Sequence, residues 1–288
     1  MKNIYDVCMF FNENDLLEIR LNEHDDFVEK FIIIESLQTH SGNSKRQNFD
    51  FNRFKKFEDK IEYVLLESLD ETVKKFPELL KNNTIGSRHG RSQDQNLCWA
   101  RENVQTNYCI KILEKLLVED DAQVLWGGLD EILSKDVMLS IDKPFPHNAM
   151  SFKLDTFIYK LNIKFKPING PLISSFLNYR NYLPSDLRED CVGFENTVQN
   201  AGWHFTGLSK DCSNIRDKYM SFSHSKDTYW KGIENLNDEE LLDKVIASYL
   251  PDFKDNPKKY IVDIDNTYPE FVVQNKNRLS EYIYGGVY

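Results

Sequence analysis

Acidic and polar side chains follow three apolar segments of the sequence that have the composition of buried strands. These side chains are Asn12 and Glu13, Glu35 and Ser36, and Asp130 and Glu131. Carboxylates are hard oxygen ligands that suit Mg²⁺ or Mn²⁺, and a divalent cation can neutralise a departing phosphate. The pattern therefore predicts cation-assisted chemistry at a diphosphate. The alternative is that Asp130 only caps a following helix while Glu131 is exposed to solvent.

Several widespread catalytic motifs are absent from the sequence. It contains no glycine-rich dinucleotide fingerprint, no phosphate-binding Gly-Lys-Ser/Thr loop and no Gly-x-Ser-x-Gly elbow. These absences argue against nicotinamide enzymes, P-loop ATPases and serine hydrolases. A phosphodiester hydrolase is also disfavoured, because no dense His/Asp cluster accompanies the carboxylates.

The segments that would position these side chains alternate between strand and helix patterns in the first half of the chain. Apolar runs typical of strands buried on both faces occupy residues 4–11, 31–34, 61–66 and 122–126. Helical spacing lies between them, most clearly at residues 99–117. This alternation predicts a mostly parallel sheet covered by helices, with ligands at the carboxyl ends of the strands. The pattern then predicts antiparallel strands at residues 152–159 and 163–165, and a helix that starts near Asp238.

Composition and charge narrow the classes of partner. The 288 residues are 41% hydrophobic, which is enough to bury a large core, and 36 basic against 46 acidic residues give a net charge of −10. A field of that sign disfavours nucleic acids and anionic lipid. Five widely spaced cysteines and the absence of a long apolar stretch predict a cytoplasmic chain without a membrane span.

A set of short motifs resembles glycosyltransferase family 17, the family of the β-1,4-mannosyl-glycoprotein 4-β-N-acetylglucosaminyltransferases. The motifs are FNENDLLEIRLNE at residues 11–23, FIIIES at 31–36, THSG at 39–42, WAREN at 99–103, LDEI at 129–132, GWHF at 202–205 and KYMSFSH at 218–224. They lie in family order and cover about four fifths of the chain, which makes them specific as a set.

The resemblance implies a nucleotide-diphosphosugar transferase fold, in which a parallel nucleotide-binding half of a GT-A-like domain is joined to an antiparallel extension on the acceptor side. It also implies a UDP-sugar donor, with UDP-N-acetylglucosamine first, a glycan acceptor, a divalent cation (Mn²⁺ or Mg²⁺) and inversion at the anomeric carbon. Family members normally show Asp-x-Asp-Glu where this chain has Gly128-Leu129-Asp130-Glu131. Because Gly128 lacks the first carboxylate, the metal should bind more weakly.

The same resemblance suggests a role for each candidate residue. Asp130 would ligate the metal with help from His224 or, second, His204. The alternative is that His224 is an ordinary surface or hydrogen-bonded histidine and that His204 only packs beside Trp203. Glu131 would take the proton from the acceptor hydroxyl, with Glu35 and Glu195 as alternatives. Donor binding is assigned to Asn12, Glu13, Arg20, Glu35, Ser36 and Lys218, where Glu35 would hold the uridine and Arg20 and Lys218 the phosphates; Arg20 could instead only pair with a neighbouring glutamate. Acceptor binding is assigned to Trp203, Arg180 and Tyr182. The alternative for the aromatic residues is core packing, and Arg180 could meet either an acidic acceptor or a phosphate.

We expect one catalytic domain over residues 1–232, with a nucleotide-binding half at about 1–135 and an acceptor half at about 136–232. Residues 233–288 would form a helical extension packed on the same domain. The competing hypothesis is a catalytically silent protein that binds a sugar nucleotide or a glycan and has lost the first metal carboxylate at Gly128.

Overall fold

The computed structural model describes residues 4–80, 92–141, 149–190 and 197–285. Within these ranges the chain forms strands and α-helices joined by loops and short 3₁₀ turns. The strands are β1 (Ile4–Phe10), β2 (Lys30–Ser36), β3 (Ile61–Leu66), β4 (Gln123–Trp126), β5 (Glu131–Leu133), β6 (Met150–Ile158), β7 (Lys164–Ser175), β8 (Thr197–Val198) and β9 (Gly202–Thr206). The helices are α1 (Asn14–His24), α2 (Leu69–Lys75), α3 (Gln93–Asn107), α4 (Cys109–Lys115), α5 (Lys135–Ser140), α6 (Phe176–Asn181), α7 (Pro184–Asp190), α8 (Cys212–Ser221), α9 (Asp238–Ala247) and α10 (Glu270–Gln274).

The strands form one curled, mixed sheet in the order β3-β2-β1-β4-β7-β6-β9-β5, with β8 paired to β6. The first four strands are parallel, as the sequence predicts for them. From β7 onward the sheet is mixed: β7 is antiparallel to both β4 and β6, β9 is parallel to β6, and β5 is antiparallel to β9. The sheet thus has a parallel half that ends beside β4 and a second half of mixed direction.

Strand β2 shows why the first strands lack an alternating pattern. Phe31 and Ile33 pack with α1 residues in one apolar cluster, whereas Ile32 and Ile34 pack with α3 and α4 residues in another. Because successive side chains of a strand point to opposite faces, both sets must be apolar when helices cover both faces. A third apolar cluster joins the end of β6 to α8 and α9.

The C-terminal residues lie against the second half of the sheet. The buried ammonium of Lys160 donates hydrogen bonds to the carbonyl oxygens of Ser209, Lys210 and Glu281, at 2.9, 2.8 and 2.7 Å. The Leu161 N–H also donates to the carbonyl of Tyr282 at 2.8 Å. The boundary at residue 232 stays a prediction. None of the described helices is long and apolar enough to cross a bilayer.

Gly202 fixes the position of β9 against β5. Its φ of +149° lies in the region that favours glycine, and a Cβ at this position would overlap the carbonyl oxygen of Ile132 in β5. Trp203 and His204 follow Gly202 in β9, so this close approach sets where both side chains lie.

We expect Gly202→Ala to lower the free energy of unfolding by at least about 3 kcal/mol, because the new methyl group must push two paired strands apart. Gly232→Ala is the matched control, since Gly232 also has a positive φ but nothing lies within 4 Å of the added Cβ; it should cost only about 1–2 kcal/mol. Urea unfolding of both variants measures the difference. Equal losses would contradict the steric argument.

Candidate active site

A cavity of about 290 Å³ opens at the carboxyl ends of β1 and β2, the edge where ligands bind in open α/β sheets. We call it the first cavity. Five parts of the chain line it: the segment after β1, the segment after β2, helix α3, the β4–β5 loop, and the end of α8 with the turn that follows. The lining residues include Phe11, Glu13, Ser36, His40, Lys45, Trp99, Glu102, Gln105, Asp130, Lys218, Phe222 and His224.

Asp130 is the acidic residue of the β4–β5 loop that reaches this cavity. Its Oδ2 lies 3.5 Å from Lys218 Nζ and 3.5 Å from His204 Nε2, and its side chain is 18% exposed. Burial alone would raise the pKa of the Asp130 carboxyl, but Lys218 and His204 outweigh burial and hold this pKa well below its usual range. Asp130 is therefore ionised in the folded protein near neutral pH.

Glu13 and Lys218 form the boundary between the first cavity and a second one of about 200 Å³. Glu13 Oε2 accepts hydrogen bonds from the N–H groups of Phe11 and Asn12, at 3.3 and 3.1 Å, while its Oε1 lies 3.7 Å from Lys218 Nζ. Burial disfavours the charged form of Lys218, but Asp130 and Glu13 outweigh it and raise the pKa of Lys218. The second cavity, which the sequence did not reveal, is lined by mainly polar residues: Asn12, Asn14, Asp15, Arg53, Ser209, Lys210, Asn214 and Tyr282 are among them.

Arg20 supports the β4–β5 loop through hydrogen bonds to its backbone carbonyl groups. Its guanidinium is fully buried, pairs with both carboxylate oxygens of Asp6 at 3.0 and 2.6 Å, and donates to the carbonyl oxygens of Gly128 and Glu131 at 2.7 and 2.8 Å. With its hydrogen bonds used inside the protein, it has no face toward the cavity. We therefore reassign Arg20 from donor binding to positioning the loop that carries Asp130.

His24 completes the charged cluster around Asp6. Its Nε2 accepts from the Leu133 N–H at 2.9 Å, so Nδ1 carries the proton and donates to Asp6 Oδ2 at 2.7 Å. Burial lowers the pKa of His24 from 6.5, despite the opposing effect of Asp6. The ring is therefore neutral in the folded protein.

We expect the free energy of unfolding to fall as the pH drops below about 6.5, because the unfolded chain then protonates His24 while the folded chain does not. Below about pH 4 Asp6 acts in the same direction, since its folded pKa lies below its unfolded value. Urea unfolding between pH 7 and 5 should show a smaller loss of stability for His24→Gln than for the wild type. Parallel pH profiles would contradict this assignment.

The other predicted carboxylates do not reach the cavity as free groups. Glu131 is buried, accepts from the Gly128 N–H at 2.7 Å and is paired through both oxygens with Arg188. Glu35 is also buried; it pairs with Lys45 and accepts from the N–H groups of residues 48 and 49 and from the hydroxyl of residue 63. Both carboxylates are thus buried and already paired with a cation of the protein. Glu195 lies outside the described residues.

The predicted acceptor residues do not line either cavity. Trp203 is 9% exposed and donates its indole N–H to the carbonyl of Thr267 at 3.0 Å. Arg180, in α6, pairs with Asp120 at the surface, and Tyr182 follows that helix and is 60% exposed. None of the three side chains lines a cavity together with Asp130 or Lys218, and Trp203 instead lines a third cavity with Asp155 and Thr267.

The described residues do not form a recognisable divalent-cation site. No three His, Cys, Asp or Glu side chains among them are arranged to hold a metal ion. His224 lines the first cavity, but its Nδ1 lies 2.6 Å from Asp227 Oδ2 and its ring packs edge-on against Trp99. His204 approaches Asp130 through Nε2, while its buried Nδ1 has no hydrogen-bond partner in the described part of the chain.

Comparison with protein families decides the class of protein to which these cavities belong. The sequence model of glycosyltransferase family 17 matches residues 1–260 of the chain. The chain is a member of glycosyltransferase family 17. Apart from Tyr282, the matched range contains every residue that lines the two cavities. A search of curated proteins found no match.

Family 17 membership supports a glycosyl transfer activity, with a sugar donor and a glycan acceptor. Phe11, Trp99 and Phe222 give the first cavity an aromatic wall, and Lys218 gives it positive charge. Trp99 and Phe222 belong to the WAREN and KYMSFSH motifs, so both aromatic residues lie in motifs that the sequence analysis identifies. The sequence does not show that these two motifs meet at one cavity.

Proposed function

We propose that the protein is an inverting glycosyltransferase that moves N-acetylglucosamine, or a similar sugar, from a UDP-sugar to a glycan acceptor on a GT-A-like fold. The observation that carries the proposal is the position of the first cavity in a family 17 chain. It opens at the carboxyl ends of β1 and β2 and holds Asp130 and Lys218 beside an aromatic wall. A site for a nucleotide-diphosphosugar needs positive charge for the diphosphate and a flat apolar surface for the nucleobase.

In this proposal the donor occupies the first cavity and the acceptor occupies the second. The two cavities share Glu13 and Lys218, so a hydroxyl group in the second cavity would approach the donor at this boundary. The polar lining of the second cavity, with Asn12, Asn14 and Asn214, suits the hydroxyl groups of a sugar. Asn12 thereby moves from donor binding to acceptor binding.

We assign Glu13 as the general base. The acceptor oxygen attacks the anomeric carbon, its proton passes to the Glu13 carboxylate, and the bond from the anomeric carbon to the phosphate oxygen breaks, so that UDP leaves with the electron pair. Attack on the face opposite UDP inverts the configuration. The two backbone N–H groups that bind Oε2 fix the carboxylate and leave Oε1 to face the boundary.

A divalent cation, Mn²⁺ or Mg²⁺, stays a prediction from the family resemblance. If bound, it would hold the diphosphate near Asp130 and neutralise charge on the departing UDP. The described residues do not form a ligand set for this cation.

The test is UDP release from a panel of UDP-sugars, measured with and without mannose-containing and microbial glycans, in Mn²⁺ and in EDTA. We expect release from UDP-N-acetylglucosamine that increases with an acceptor. No release with any donor at high enzyme concentration would overturn the proposal. Binding of UDP without release would support the silent binding protein instead.

A further inference from the structure

The ammonium of Lys218 occupies the place between two carboxylates where a divalent cation would be expected. Its Nζ lies 3.5 Å from Asp130 Oδ2 and 3.7 Å from Glu13 Oε1, and Lys218 lines both cavities. We propose that Lys218 neutralises the donor diphosphate in place of a metal ion, so that donor binding does not require a divalent cation. This inference rests on the proposed function, because it assumes a diphosphate in the first cavity.

The carboxylates around Lys218 are poorly placed to bind a metal ion as well. Asp130 Oδ2 already faces Lys218 and His204, and a cation of charge +2 bound to this oxygen would be repelled by the ammonium 3.5 Å from it. Asp130 Oδ1 faces Gly128, where even an added Cβ would lie 2.5 Å away. Glu13 Oε2 is occupied by two backbone N–H groups, and Glu131 is paired with Arg188.

Lys218 can still donate hydrogen bonds to a phosphate. Its distances to the two carboxylates exceed the 2.7–2.9 Å or so of a short charge-assisted hydrogen bond, so these contacts hold the ammonium in place without using all its donors. An ammonium has three N–H groups and no acceptor, which matches the oxygens of a diphosphate. Asp130 then acts as a positioning residue for Lys218.

The experiment measures UDP binding to the full chain by isothermal titration calorimetry, once in EDTA and once in Mn²⁺. We expect wild-type dissociation constants that agree within about threefold. In EDTA, Lys218→Met should weaken UDP binding about tenfold or more, and Lys218→Arg should keep most of the affinity. Lys254→Met is the matched control and should bind UDP like the wild type, because Lys254 pairs with Asp243 at the surface and lines neither cavity.

Each outcome decides the inference. UDP binding by the wild type that requires Mn²⁺ would overturn it and leave the proposed function intact. Unchanged binding in a folded Lys218→Met variant would also overturn it. No UDP binding in either buffer would overturn the proposed function and, with it, the inference. The wild-type comparison of the two buffers needs no variant, so it still decides if Lys218→Met does not fold.

Discussion

Glu13→Gln should lower kcat for glycosyl transfer by about 10²–10⁴-fold while the affinity for UDP changes little. The amide keeps the shape of the side chain and its oxygen can still accept from the N–H groups of Phe11 and Asn12, but it cannot take a proton from the acceptor. The acid limb of the pH–rate profile should disappear in this variant, since it reports ionisation of the base. Initial rates at saturating donor and acceptor, with UDP binding measured separately, give both quantities.

Glu102→Gln is the control for this prediction. Glu102 also lines the first cavity, but it does not line the second and therefore lies away from the boundary that the acceptor hydroxyl would reach. We expect its kcat to stay within a few-fold of the wild type. A Glu13→Gln variant with near wild-type kcat would show that another carboxylate is the base.

Arg20→Met should lower the free energy of unfolding by about 3–5 kcal/mol and abolish transfer activity. The variant leaves the Asp6 carboxylate buried next to one neutral imidazole, and such an unpaired buried charge is strongly destabilising. It also removes the hydrogen bonds to the carbonyl oxygens of Gly128 and Glu131, so the loop that carries Asp130 loses its support. Urea unfolding and UDP release measure the two effects.

Arg180→Met is the matched control for Arg20. Arg180 pairs with Asp120 at the surface, where an ion pair contributes about 0–1 kcal/mol. The double variant Asp6→Asn/Arg20→Met should regain part of the lost stability, because it no longer buries a lone charge. Similar unfolding free energies for Arg20→Met and Arg180→Met would contradict the role of the buried pair.

The parallel half of the fold could be predicted from local patterns. The strand predicted at residues 61–66 agrees with β3, and those at 4–11 and 31–34 agree with β1 and β2 to within two residues at each end. Buried parallel strands give continuous apolar runs, so their signal is local. The helix predicted at 99–117 instead begins at Gln93, because its start depends on the Ser92 capping box rather than on apolar spacing. It is also divided at Tyr108 into α3 and α4.

The candidate site was predictable only in part. Asp130, Glu13, Ser36, Lys218 and His224 were chosen from motifs and strand ends, and the structure brings all five to the first cavity. The same reasoning selects Arg20, Glu35 and Glu131, yet each of these side chains is buried and already paired with a charged residue on another part of the chain. Sequence spacing shows which residues follow a strand, but it cannot show which charges are already paired in the fold.

The most direct test of the central claim is a crystal structure of the full chain with UDP bound. We expect the uracil against the aromatic wall of the first cavity and the diphosphate beside Lys218, between the ends of β1 and β2. UDP bound at another part of the surface, with the first cavity empty at a saturating concentration, would contradict the account.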